Sequence, residues 1–209
     1  MRKLLAFVLL LVLSQATMAQ DAATTQILDG MKQKYESFSA FSASVTQEML
    51  NSKDKVMNSF DAKITVKKEK YKLEIAEQVI YNNGRTVWRH LVEDEEVYIT
   101  NANNKDNEED MFQSPSNLYN LYKDGFKYAK TGTETISGAS CDVIELSPND
   151  KKKFQFFKIK LYVNKADKTL AQWVVFEKDP DTLQIVRYRY RISNFKSDLR
   201  LTDQFFAFD

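Results

Sequence analysis

From Phe41 onward the chain alternates apolar and polar residues with few pauses. FSASVTQEML runs through Phe41, Ala43, Val45, Gln47 and Met49. MNSFDAKITVKKEKYKLEI sets Phe60, Ala62, Ile64 and Val66, then Tyr71, Leu73 and Ile75, among Asp61, Lys63, Lys67, Lys72 and Glu74. A period of two sends successive side chains to opposite faces, so each run predicts a strand with one oily and one wet face. In VIYNNGRTVWRHLV, Asn83-Gly84 stands between two β-rich runs, a hairpin signal. EEVYIT, FKYAKTG, CDVIELS, FQFFKIKLYVNK, TLAQWVVFEK, LQIVRYRYRISNF and LRLTDQFFAF read as further strands, giving about ten or eleven in near-uninterrupted succession. Turn signals recur at Pro148-Asn149, Ala166-Asp167 and Asp179-Pro180.

Two segments have a different period. Thr24 to Ser39 carries Ile27, Leu28, Met31, Tyr35 and Phe38 on one helical stripe. After the polar, acidic stretch Asn101 to Asp110, Ser114 can cap a second helix. Pro115 would take its first position, Leu118, Leu121 and Tyr122 its oily side, and Gly125 its end. Sequential strands joined by short turns favour an antiparallel meander. The predicted fold is mainly β with a few helices (α+β): one domain over residues 20–209, an antiparallel sheet curled into a partial barrel, with two helices at its mouth or concave face.

The first residues stand apart. MRKLLAFVLLLVLSQATMAQ has a basic start at Arg2 and Lys3, an apolar run from Leu4 to Leu13 and a small-residue end. This is the grammar of a secretory signal peptide, with cleavage expected after Ala19. The apolar run is too short to cross a hydrocarbon layer of ~30 Å as a helix. Its removal leaves 28 basic residues against 29 acidic ones, a net charge of −1. A near-neutral exported domain has no electrostatic footprint for nucleic acid. Cys141 is the one cysteine, so no intramolecular disulfide can form, and CDVIEL reads as a strand that buries it.

Groups suited to chemistry are sparse. His90, the one histidine, sits in RTVWRHLV with no serine or cysteine partner inferable. No nucleophile elbow, zinc-protease helix or phosphate loop is present in the sequence. A zinc site would need carboxylates as its remaining ligands. Glu93 to Glu96 and Glu108 to Asp110 are acidic clusters, read as solvated turns rather than glycosidase pairs. Asn104 to Asp110 lacks the EF-hand pattern for calcium. The load of 14 Phe, 10 Tyr and 2 Trp points instead to the oily inner face. Alternation alone does not separate a filled core from a cavity lined by the same residues.

The order of these pieces resembles the periplasmic outer-membrane lipoprotein carrier family, LolA. A first helix is followed by a strand with the pair Thr46-Gln47, then by FDAKITVKKEKYKLEI, then by the hairpin Asn83-Gly84-Arg85-Thr86-Val87-Trp88. A Pro-led helix after the acidic loop, LYVNKADKTLAQWVVFEKD and the final Phe206-Ala207-Phe208 match later motifs. The resemblance implies an unclosed barrel lidded by helices around a hydrophobic cavity, without cofactor or catalysis. It implies a monomeric carrier of acylated lipoproteins, loaded by an inner-membrane ABC-type releasing complex and unloaded to an outer-membrane acceptor. On this reading Phe41, Val45, Phe60, Ile64, Val66, Tyr71, Leu73, Trp88, Phe157, Leu161 and Phe176 line the acyl-chain site. The helices Thr24–Ser39 and Ser114–Asp124 form the lid, with Leu118, Leu121 and Tyr122 on it.

Two positions depart from the family pattern. Its lid-latching Arg is matched by Lys68, or by Lys67 one residue earlier, and lysine lacks the planar fork for bidentate bonds. Glu69 stands where Pro is expected, and the family's tail past the last Phe-x-Phe is missing. Two other functions fit less of the sequence. A lipid or lipoprotein sensor on the same half-barrel would ordinarily carry a further domain. A periplasmic hydrolase would have to use the acidic clusters.

Overall fold

In the computed structural model, which describes residues 22–102, 119–123, 125–150 and 153–209, eleven strands form one antiparallel sheet. They are β1 (Phe41–Leu50), β2 (Val56–Lys67), β3 (Lys70–Ile75), β4 (Gln78–Asn82), β5 (Thr86–Leu91) and β6 (Glu96–Asn101), then β7 (Phe126–Ile136), β8 (Ala139–Pro148), β9 (Phe156–Asn164), β10 (Leu170–Lys178) and β11 (Ile185–Ser197). The order across the sheet is β6-β5-β4-β3-β2-β1-β11-β10-β9-β8-β7. Two meanders are thus joined where β1 pairs with β11, Val45 opposite Ile192. Among the described residues β6 and β7 pair on one side only, so the barrel is unclosed, as expected.

Local chemistry sets the turns. Asn83 is the hub of the β4–β5 loop: its side-chain oxygen accepts from the amides of Arg85 and Thr86, both at 2.9 Å, and Gly84 takes φ +88°. Glycine adopts that left-handed backbone without steric cost. Asp179 organises the β10–β11 turn by accepting from the amides of Asp181 and Thr182 and from the Thr182 hydroxyl. Those bonds hold its carboxyl below the usual range.

Helix α1 (residues 22–37) lies across the concave face. Thr24, Leu28, Met31 and Tyr35 are its buried stripe, at spacings of four, three and four. Leu28, Met31 and Tyr35 pack into one core with Ile80, Ile144, Ile159 and Val163 from both halves of the sheet. The convex face has its own smaller cluster, Cys141, Val143, Tyr162 and Val174, with Phe176 packed beside it.

LRLTDQFFAF, expected as a last strand, is not one. β11 is already flanked by β1 and β10 and offers it no free edge. The segment is tied back by the Leu199 amide on the Ala40 carbonyl (3.1 Å) and makes a 3-10 turn at Asp203–Phe206. Phe206 is fully buried, and Phe208 packs on Tyr81 and His90, ring centroids 5.7 and 5.2 Å away. Lys72 stands over the Phe205 ring at 5.4 Å. Lys72, Tyr81 and His90 all face away from the core residues Leu73 and Ile80, so this tail covers the convex face of β3 to β5.

The expected signal peptide, the acidic loop from residue 103 and the start of the second helix, Leu118 included, lie outside the described residues. What is described there is helical at 119–120 and 3-10 at Leu121–Lys123, with Leu121 and Tyr122 buried in the main core.

Candidate functional site

A cavity of about 540 Å³ lies between α1 and the sheet. Period two builds its floor. Ile64, Ala62 and Phe60 of β2 lie opposite Ala43, Val45 and Gln47 of β1, and Val45 and Gln47 lie opposite Ile192 and Tyr190 of β11. Trp173 of β10 continues the last row, its ring stacked on Tyr190 at 4.6 Å and 4°. Leu73 and Ile75 of β3 close one side, and Phe156 and Leu170 the other.

One end is shut by α1 and aromatic rings. Tyr35 is the hub. Its hydroxyl accepts from the Leu170 amide (3.1 Å), and its ring stacks on Tyr119 at 5.4 Å and meets Phe41 edge-on at 5.3 Å. Burial pushes the Tyr35 phenol well above its ordinary pKa, so it stays protonated. Three polar contacts pin the helix from above. The Tyr122 hydroxyl donates to Asp29, Thr25 and Tyr128 share a hydrogen bond of 3.0 Å, and the Lys130 amide donates to Thr24 (3.2 Å). Burial, then Asp29, raises the Tyr122 pKa, which keeps that donor in place. The other end is open and more polar. Gln47, Gln155 and Glu177 stand there, next to the exposed residues Val56, Met57 and Ile185 of the strand ends.

Phe41, Val45, Phe60, Ile64 and Leu73, expected on the wall, are on it. Val66, Tyr71 and Leu161 share the concave face but belong to the packed core beside the cavity. Trp88, Phe157 and Phe176, also expected on the wall, lie on the convex face instead. Trp88 pairs with Tyr81, and its neighbours Val87 and Arg89 take the concave side. Phe176 follows the parity of Val174 onto the convex face, where its ring meets Phe157 at 6.3 Å. A bulge between Phe176 and Glu177 sets Phe156 opposite Glu177, so Phe156 takes the inward place that strict alternation from Ile159 would give Phe157.

Of the expected latch residues, Lys68 is exposed in the β2–β3 turn at φ +55°. Lys67 reaches the tail rather than α1, donating to the Leu201 carbonyl (2.7 Å) and to Asp203 (3.0 Å). Lys70 adds an ion pair to Asp203 at 2.6 Å. Lys70 first, then Lys67, lowers the Asp203 pKa to about 2. Met31 and Tyr35, read from sequence as part of the lid helix's stripe, also line the cavity, whereas Tyr119 on the lid side and Trp173, Tyr190 and Ile192 on the floor were missed. Trp173, Tyr190 and Ile192 do keep the alternation of β10 and β11, and that was the available signal.

No curated protein matches the chain in sequence. Among solved structures, it is similar to the lipoprotein LppX of Mycobacterium tuberculosis, with 13% identity, a TM-score of 0.50, and coverage of 87% of this chain and 98% of that one. It is also similar to the LolA superfamily protein NE2245 of Nitrosomonas europaea, with 14% identity, a TM-score of 0.45, and coverage of 88% and 96%. A DUF1329 family protein of Desulfovibrio piger gives 14% identity, a TM-score of 0.48, and coverage of 90% and 97%. The family model described as outer membrane lipoprotein carrier protein LolA matches residues 36–209, all eleven strands and the tail. The chain therefore belongs to the LolA family.

Proposed function

We propose that this protein is a periplasmic carrier that takes the acyl chains of lipoproteins into the cavity and shuttles them from the inner to the outer membrane. The supporting observation is the apolar hollow of about 540 Å³ under α1, walled by Ile64, Val45, Phe60 and Leu73. At ~30 Å³ for a methylene-sized volume it offers room for about one long acyl chain. One sixteen-carbon chain gains roughly 12 kcal/mol on leaving water, and two or three exceed roughly 20 kcal/mol, near the limit of non-covalent binding. Extraction from a membrane therefore needs an energy source outside this chain, such as an ABC-type releasing complex. The carrier supplies a dry surface and then yields to a better one at the outer membrane. A guest with several chains requires α1 to lift from the sheet.

The test has two arms. Native mass spectrometry of protein purified from the periplasm is expected to show bound lipopeptide or lipid. A fluorescent acyl probe is expected to bind the emptied protein and to lose at least tenfold in affinity in Ile64→Glu, which sets a carboxyl in the wall. Ligand-free protein that ignores the probe would overturn the proposal.

A further inference from the structure

We propose that Trp173 is the polar anchor of the cavity, its indole N–H donating to the carbonyl oxygen of an ester- or amide-linked acyl chain. The inference rests on the acyl-binding reading above and specifies how a guest is oriented. Trp173 lines the cavity and is only 6% exposed. Its Nε1 is shielded from solvent and has no hydrogen-bond partner among the described residues. Buried indole N–H groups ordinarily find a partner, and an orphan on a residue that lines a ligand-sized hollow calls for an explanation. Water does not reach this nitrogen, so only a guest that parts the packed side chains can satisfy it. The neighbour best placed to turn aside is Tyr190, stacked flat on the indole.

The register gives the anchor its sense. Trp173, Tyr190, Gln47 and Phe60 form one row across β10, β11, β1 and β2. Towards α1 the wall is apolar: Val45, Ala62, Ile64 and Phe41. Away from α1 stand Glu177 and Gln155. At about 3.3 Å per residue, Glu177 lies ~13 Å along β10 from Trp173. A carbonyl held at the Trp173 row therefore puts the hydrocarbon tail under α1 and the head at the polar mouth. The ligand class is an acyl ester or amide, a polar carbonyl followed by a saturated chain. An indole N–H cannot accept a hydrogen bond, so a plain hydrocarbon gains nothing from it.

The experiment compares methyl hexadecanoate with hexadecane, each displacing a fluorescent acyl probe from the full-length protein and from Trp173→Phe. Phenylalanine keeps an aromatic ring on Tyr190 and removes the donor. The ester is expected to weaken by about fivefold, the worth of one such hydrogen bond, and the alkane to change by less than about twofold. Equal weakening of both, or none for the ester, would overturn the anchor while leaving the acyl cavity intact. If neither displaces the probe from the unsubstituted protein, the cavity reading falls and the anchor with it. A second measurement does not depend on the folding of that variant. In Trp88→Phe, which removes the other tryptophan on the convex face, the indole N–H band of Trp173 in ultraviolet resonance Raman is expected to shift with the ester and not with the alkane. An unmoved band with bound ester would refute the contact.

Discussion

Leu28→Ala tests whether α1 is docked as the geometry says. Leu28 is fully buried at the middle of the helix stripe, with Met31, also fully buried, one turn on. Truncation removes most of a buried aliphatic side chain and leaves a void beneath a helix held on both sides of it by Thr24 and Tyr35. Such replacements cost roughly 3 kcal/mol, within a range of about 2.7–5. With a urea slope of about 2 kcal/mol per molar, the unfolding midpoint falls by roughly 1.5 M at unchanged slope. The same loss makes amide exchange across residues 22–37 about 100-fold faster and speeds the release of a bound acyl probe. The control is Gln26→Ala on the exposed side of the same helix, expected within about 0.5 kcal/mol of the parent. Circular dichroism in urea and hydrogen-exchange mass spectrometry read both variants. A midpoint shift below about 0.3 M for Leu28→Ala, or equal shifts for the two variants, would show that this face of α1 does not carry the packing described.

Other outcomes follow from the tail and the cysteine. Asp203 has its pKa lowered to about 2 by Lys70 and Lys67, so its contribution is full above the unfolded carboxylate value near pH 4 and is lost as pH falls through about 2. The stability difference between the parent and Asp203→Asn is expected to be largest at neutral pH and to vanish below about pH 2; a gap that persists well below that pH would refute the pairing. Lys67→Met should make residues 199–209 more sensitive to proteases, whereas Lys68→Met should not, because only Lys67 bonds the Leu201 carbonyl. Cys141 is fully buried and its thiol is pushed up by burial, so a thiol reagent should modify it only as fast as the chain opens, with the rate rising in urea. Rapid labelling in native buffer would contradict the packing of that face.

Alternation was enough to place most strands, because half-buried sheet positions must repeat with period two. The first strand matches end to end, and Phe41, Val45 and Ile64 fall where their parity puts them. The errors cluster where both faces of the sheet are oily. On β4 and β5 the convex side holds Tyr81, Trp88 and His90 because the tail's Phe208 covers it, so size did not identify the inward residue. On β9 and β10 the convex cluster of Tyr162, Val174 and Phe176 competes with Leu161, Trp173 and Val175 in the same way, and a bulge then changes the parity at Phe156. The lid was legible as a helical stripe. Its polar fastenings were not, because Tyr122 to Asp29 and Tyr128 to Thr25 join residues about a hundred positions apart, which no local pattern encodes. Trp173 is a similar case: a missing partner is a property of the assembled interior.

The pairing of β1 with β11 also dictates when the hollow can exist during synthesis. Residues 41–50 must wait for residues 185–197 before their second edge is filled. A ribosome has therefore delivered nearly the entire polypeptide before the cavity floor, shared by those two strands, can assemble. Folding through so distant a contact is slow, because the loop between the two strands must close before their pairing stabilises it. It also makes the final quarter of the coding region as decisive for the cavity as the first: a truncation before residue 185 would leave two half-walls with nothing to join them.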